Sequence, residues 1–113
     1  MWGKIIHNNC VKCLTLKVYA NMRKWGQYVL LATCDAELLG KILREGKIVF
    51  EVREEFYKGP KMTVEEVIEL MKQSTIVNMV GHNVVKKAIE KGLVHPDAVL
   101  KISGVPHAQI VKM

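Results

Sequence analysis

A strand-like stretch near the end of the chain carries two side chains capable of hydrogen-bond chemistry. Residues 104 to 111 read G-V-P-H-A-Q-I-V, so an imidazole and a carboxamide stand in an otherwise apolar run. Alternate side chains of a strand share a face, and His107 and Gln109 therefore point to one side. Ala108 and Ile110 point to the other side, where a small apolar pair can seal a core. We predict that the polar pair belongs to a recognition site.

This polar site needs partners from elsewhere in the chain. Asn78 interrupts the β-branched run T-I-V-N-M-V of residues 75 to 80, and His82 follows closely. If the run is a strand beside the last one, Asn78, His107 and Gln109 gather in a shallow site. Histidine titrates near neutral pH, but no nucleophile with an orienting acid and no phosphate loop accompany it, so we assign no catalytic residue. The alternative is an exposed His107 on an edge strand and a buried Asn78 bonded to a loop.

A basic segment with an aromatic residue is the second candidate site. Cations contact phosphates and an aromatic ring stacks on a base. The chain holds 17 Lys and Arg against 11 Asp and Glu, and the formal net charge of +6 favours polyanionic partners. The alternative is a solvated hairpin tip whose tryptophan folds back on the sheet. The predicted RNA contacts are Arg23, Lys24, Trp25, Lys86 and Lys87.

The three cysteines are candidate zinc ligands. Cys10 and Cys13 have C-x-x-C spacing, and His7 and Cys34 complete a set of four possible ligands. A zinc ribbon needs a second such pair, and Cys13 and Cys34 fall in predicted strands, where buried thiols are common. We therefore predict neither a metal nor a cofactor, and free thiols in a reducing cytosol.

Length and composition favour one domain. Of 113 residues half are hydrophobic, and no apolar run approaches the length of a membrane span or a signal peptide. We predict a cytoplasmic protein without a membrane partner, with an extension over residues 1–12 and a single domain over residues 13–113.

Hydrophobic patterns predict the order of the elements. A β-hairpin over residues 13–20 and 28–34 has its turn at 23–26, and further strands are predicted at 47–53, 75–80, 98–102 and 107–111. Three helices are predicted from polar caps and glycine stops. The first is capped by Asp35, ends at Gly46 and has the apolar stripe Leu38, Leu39, Ile42 and Leu43. The second begins with a capping box formed by Thr63 and Glu66. The third is capped by Asn83 and ends at Gly92. This order predicts an α+β two-layer sandwich, a mixed sheet with about three helices packed on one face.

Four segments also carry a family resemblance. They are residues 34–41 (C-D-A-E-L-L-G-K), 56–57 (F-Y), 75–81 (T-I-V-N-M-V-G) and 104–111. With them the chain resembles an archaeal family of domains of unknown function, from about residue 14 to residue 112. The resemblance implies a small two-layer α+β domain without a metal-ligand set, and no assigned activity. The matching positions that core packing does not explain form the predicted polar recognition site: Glu37, Gly40, Asn78, Gly81, His107 and Gln109.

The leading expectation is a non-enzymatic binding module for RNA or a ribonucleoprotein, associated with translation. A small ligand-binding protein or enzyme using His107, Gln109 and Asn78 is the alternative from another class. A third possibility is a protein-interaction adaptor that offers a sheet edge or a helix face to its partner.

Overall fold

A six-stranded mixed sheet organises the fold in the computed structural model, which describes residues 16 to 112. The strands are β1 (Lys17–Trp25), β2 (Tyr28–Asp35), β3 (Ile42–Glu45), β4 (Ile48–Glu51), β5 (Lys61–Thr63), β6 (Ile76–Val80), β7 (Leu100–Ile102) and β8 (Val105–Val111). The helices are α1 (Glu54–Tyr57), α2 (Val64–Lys72) and α3 (His82–Glu90), with 3-10 turns at Ala36–Leu38 and Pro96–Ala98. The main sheet has the order β5-β1-β2-β6-β8-β7, while β3 and β4 form a separate hairpin. Only β2 and β6 pair in parallel within the described residues, and the α+β class is confirmed.

The first hairpin is confirmed with longer strands than predicted. Trp25 lies directly opposite Tyr28, so its turn consists only of Gly26 and Gln27. Gly26 has φ of +55°, a left-handed value that glycine adopts without steric cost. Arg23 and its two successors therefore belong to β1 and not to the turn. The predicted strand start at residue 13 lies outside the described residues.

The sheet carries a hydrophobic core on each face. Val18 and Leu31 pack under α2 and α3, whereas Tyr19 and Cys34, their neighbours on the alternate positions, belong to the second core. The second core is covered by the β3–β4 hairpin and by α1, so two helices lie on one face of the sheet and α1 lies on the other. This cover stops short of the end of the sheet that carries Trp25, Tyr28 and Val111, whose side chains are exposed.

The helix predicted after Asp35 is wrong. After the 3-10 turn, Gly40 has φ of +84° and donates its N–H to the carbonyl of Val52 at 2.7 Å, which directs the chain away from a helix. β3 then pairs with β4 around Gly46, which has φ of +58° and forms the turn. Two leucines of the predicted helical stripe still reach the second core, Leu38 from the 3-10 turn and Leu43 from β3.

Asp35 is a helix cap, but for another helix. Its buried carboxylate accepts hydrogen bonds from the backbone N–H groups of Asn83 (2.8 Å) and Val84 (3.0 Å), at the start of α3. The prediction that the Asn83 side chain caps this helix is wrong, since the helix begins at His82 after Gly81.

Several further predictions are confirmed, whereas α1 and β5 were not predicted. Thr63 and Glu66 form the capping box of α2, with Glu66 N to Thr63 Oγ1 at 3.1 Å and Thr63 N to Glu66 Oε1 at 2.8 Å. The run around Asn78 is the strand β6, and β7 pairs with β8 as the final strand pair. α3 ends before Gly92, as predicted.

Candidate recognition site on the open face of the sheet

Asn78, His107 and Gln109 lie together on the face opposite α2 and α3. β6 and β8 are antiparallel neighbours, with Asn78 directly opposite Gln109 and Val80 opposite His107. Ala108 is buried in the other core, so the predicted division of faces in β8 is confirmed. His82, at the start of α3, is exposed and takes no part in these contacts.

The Asn78 carboxamide is held through its oxygen. The Tyr57 hydroxyl donates a hydrogen bond to Oδ1 at 2.7 Å, and His107 Nε2 lies 3.1 Å from the same oxygen. No partner for the Asn78 amino group is found within residues 16 to 112, and that group is accessible to solvent. The side chain thus presents two N–H donors outward.

The protonation states of its neighbours follow from burial. Burial lowers the pKa of His107 below its ordinary value of 6.5, so the imidazole is neutral at pH 7. Because Nε2 faces a carbonyl oxygen it carries the proton, and Nδ1 is left as an acceptor. Tyr57 is 2% exposed, and burial raises its pKa, which keeps the hydroxyl protonated as a donor.

A cavity of about 420 Å³ opens beside this network. Its walls are aromatic at Phe50, whose ring centroid lies 5.2 Å from that of His107, and at Phe56. The other lining residues are Val49, Glu51, Arg53, Tyr57 and Asn78.

The free edge of β4 borders the cavity. Because the turn has two residues, Glu45 and Ile48 beside it form a hydrogen-bonded pair. Such pairs recur at every second residue of an antiparallel ladder, so Phe50 forms the next one with Leu43 of β3. Val49 and Glu51, on the alternate positions, direct their N–H and C=O groups away from β3. Among residues 16 to 112 no second strand pairs with this edge, so backbone donors and acceptors border the cavity.

Three predicted site positions lie apart from this network. Gly40 serves the turn described above, and Glu37 is exposed on the first 3-10 turn. Gly81 has φ of +131°, and a Cβ there would lie 2.4 Å from Cγ of Asp35. Gly81 is thus required by the close approach of the capping carboxylate, which is a structural role.

The ends of β1 and β2 place a pair of aromatic side chains on the open face. Trp25 and Tyr28 lie opposite each other and are 56% and 52% exposed. Arg23 lies on the same face, with its guanidinium 5.7 Å from the centroid of the Phe56 ring and bonded to the carbonyl of Glu55. Trp25 lies on the sheet face directly before the turn, with its side chain largely exposed. Lys24 alternates to the other face.

The two lysines of α3 lie on the helical side of the sheet. Lys86 is exposed there, whereas Lys87 forms ion pairs with Glu65 at 3.0 Å and Glu90 at 3.3 Å. The five cations and aromatics predicted as one RNA contact are therefore divided between opposite faces of the molecule.

Cys34 is poorly suited to act as a nucleophile or a metal ligand. It is fully buried, and burial raises its pKa to about 12. No cluster of three or more metal-ligating side chains occurs in residues 16 to 112. His7, Cys10 and Cys13, considered above as ligands, lie outside the described residues.

Sequence reasoning missed Tyr57, Phe50 and Arg53 as parts of the site. In the sequence, residues 56 and 57 carry the family resemblance, but the contact of Tyr57 with Asn78 depends on α1 folding over the second face. Tyr28 had a usable signal, since hairpin pairing places it opposite Trp25.

The fold and the site define a small α+β domain whose main sheet is partly exposed on one face. The chain belongs to the family described as protein of unknown function (DUF424), whose model matches residues 22–113. The resemblance to a family of unknown function is thereby confirmed, with a match that begins at Met22. No curated protein matches the chain.

One solved structure is similar, the crystal structure of an uncharacterized conserved protein from Methanopyrus kandleri. It is 27% identical with a TM-score of 0.70, and the match covers 86% of this chain and 94% of that chain. As for membranes, no helix in the described part of the chain has the length and apolarity needed to cross one.

Proposed function

We propose that the protein is a non-enzymatic RNA-binding module that uses the open face of its sheet. The exposed pair of Trp25 and Tyr28 carries the proposal, because aromatic side chains on an open sheet stack on unpaired bases. Asn78 lies opposite Ala32, four residues along β2 from Tyr28, or roughly 13 Å at the rise of a strand. Stacking groups and polar groups thus occupy one continuous surface.

Cations flank this surface. Arg23 and Arg53 are both exposed, Arg23 beside Phe56 and Arg53 at the cavity. Guanidinium groups bind phosphates and stack on bases, which suits them to a single strand that crosses the sheet. An association with translation is part of the same proposal and is motivated by the net positive charge.

A catalytic use of the cavity has less support. His107 Nε2 is directed at the carboxamide of Asn78 and not at a nucleophile. The nearby Cys34 and Tyr57 are buried, and their raised pKa values keep both protonated at neutral pH. Recognition of a ligand is the function that this geometry supports.

The test compares two charge reversals of equal size on opposite faces. Arg23→Glu changes the sheet face and Lys86→Glu changes the helical face, while both lower the net charge by the same amount. Binding of a fluorescein-labelled single-stranded RNA of mixed sequence is measured by anisotropy at low salt. We expect about tenfold weaker binding for Arg23→Glu, because a charge-assisted contact contributes roughly 1.5 kcal/mol, and a small change for Lys86→Glu.

Two results would contradict the proposal. Equal losses in both variants would mean that net charge alone attracts RNA, and no binding by the wild type would exclude the function. Trp25→Ala adds a charge-neutral variant, which should weaken binding through lost stacking. Circular dichroism of each variant verifies that it is folded.

A further inference from the structure

We propose that the cavity beside Asn78 takes one RNA base and selects the keto bases, guanine and uracil, over the amino bases, adenine and cytosine. This inference rests on the proposed function and names what the same surface recognises. Guanine and uracil carry a carbonyl oxygen where adenine and cytosine carry an amino group. A site can separate the two classes if it offers a donor there and no acceptor.

Asn78 offers only a donor. A free carboxamide can rotate to present either its oxygen or its amino group, and would then accept every base. Here Oδ1 is occupied by the Tyr57 hydroxyl at 2.7 Å and by His107 Nε2 at 3.1 Å. Rotation would break both hydrogen bonds, and the amino group could bond there only if the Tyr57 hydroxyl turned to accept and His107 changed its tautomer. The outward group is therefore N–H, which donates to a carbonyl oxygen and cannot accept from an incoming amino group.

The edge of β4 complements this donor. Guanine and uracil present an imino N–H next to the carbonyl oxygen, whereas adenine and cytosine present a ring nitrogen without a proton. The carbonyls of Val49 and Glu51, which pair with no strand in the described part of the chain, border the cavity and can accept from the imino group. Phe50 and Phe56 line the same cavity and supply apolar walls for a flat ring.

Tyr57 is a positioning residue in this scheme. It is buried and touches the carboxamide, and its role is to hold the orientation of Asn78. Removing its hydroxyl by Tyr57→Phe should release part of that constraint. Selectivity between the base classes should then fall while overall RNA binding persists, a result that general loss of structure does not produce.

The experiment compares uridine and cytidine hexanucleotides, which differ only at the edge in question, and repeats the comparison with inosine and adenosine. Dissociation constants are measured by anisotropy for the wild type, Asn78→Ala, Tyr57→Phe and Trp25→Ala. We expect at least about tenfold tighter binding of the uridine oligomer, in line with the discrimination that paired base-edge contacts provide. The ratio should approach one in Asn78→Ala and fall in Tyr57→Phe. In Trp25→Ala both oligomers should weaken while the ratio is retained.

The outcomes separate the two proposals. RNA binding with equal affinity for both oligomers overturns the base selectivity and leaves the RNA-binding function standing. A preference for cytidine also overturns it, because the carboxamide would then present its oxygen. If no oligomer binds at all, the proposed function fails and the base site with it. Should Tyr57→Phe fail to fold, the ratio in Asn78→Ala decides.

Discussion

A carboxamide at position 78 acts on His107 differently from a carboxylate. Its oxygen accepts the Nε2 proton without favouring a charged ring, so burial is left to determine the protonation of the imidazole. A carboxylate in the same place would stabilise the imidazolium at about 3 Å. The residue type at this one position thus leaves His107 neutral, with Nδ1 as an acceptor.

The acid side of the stability profile should depend on His107. Its pKa is lower in the folded chain than the ordinary 6.5, so between the two values the unfolded chain binds more protons. The stability that the neutral ring contributes is therefore present above pH 6.5 and is lost as the pH falls through the lowered value. Urea unfolding at about pH 7.5 and about pH 5 should show a larger loss for the wild type than for His107→Gln.

Asn78→Asp provides the matched control. Its carboxylate should raise the His107 pKa above that of the wild type, measured by the pH dependence of the imidazole carbon-bound proton in NMR spectra. An unchanged or lower pKa in this variant would show that the contact between the two side chains is absent. His95→Asn, at an exposed ring whose capping role asparagine can retain, should keep the wild-type loss in acid.

At the scale of elements, Asp35 shows what a local pattern can and cannot predict. An aspartate before an apolar stretch indicates a cap, and the chemical role was right. The helix it caps begins 47 residues later, because the end of β2 lies beside the start of α3 through the parallel pairing with β6. Sequence near Asp35 holds no information about that neighbour. Tyr57 escaped prediction for the same reason, since α1 reaches Asn78 only after the chain has folded over the sheet.

Patterns that depend on a fixed spacing within one element were predicted well. The capping box of α2 and the alternation in β8 each depend on residues within one element, and both are confirmed. The segment over residues 36–46 was not, because leucines spaced for a helix also fit a 3-10 turn and a hairpin strand once Gly40 and Gly46 adopt positive φ.

Removing the cap should destabilise the protein more than removing the residue first expected to provide it. Asp35→Ala leaves the N–H groups of Asn83 and Val84 without their acceptor, which we expect to cost about 2 kcal/mol of unfolding free energy. Asn83→Ala should change it by less than about 0.5 kcal/mol. Chemical denaturation measures the unfolding free energy of both variants. Similar losses in the two would mean that Asp35 is not the cap of α3.

At the scale of the whole molecule, net charge and local charge make different demands on RNA binding. The formal charge is +6, yet Lys87 is neutralised by two glutamates and Lys86 lies on the helical layer. Long-range attraction responds to the whole excess, while counterion release responds only to phosphates actually contacted. The open face offers Arg23 and Arg53, whose exposed ion pair with Glu51 at 3.7 Å is weak enough to yield to a phosphate, so the two quantities separate in the salt dependence.

The logarithm of the RNA association constant should fall against the logarithm of salt concentration with a slope of about −1.4, since each phosphate contact with a single strand contributes about −0.7. Arg23→Ala should reduce the slope by about 0.7, and Lys86→Ala should leave it unchanged. Anisotropy titrations over a series of salt concentrations provide the slopes. A wild-type slope near −4, which would correspond to about six contacts, would mean that RNA covers cations on both faces and would remove the special role of the open sheet.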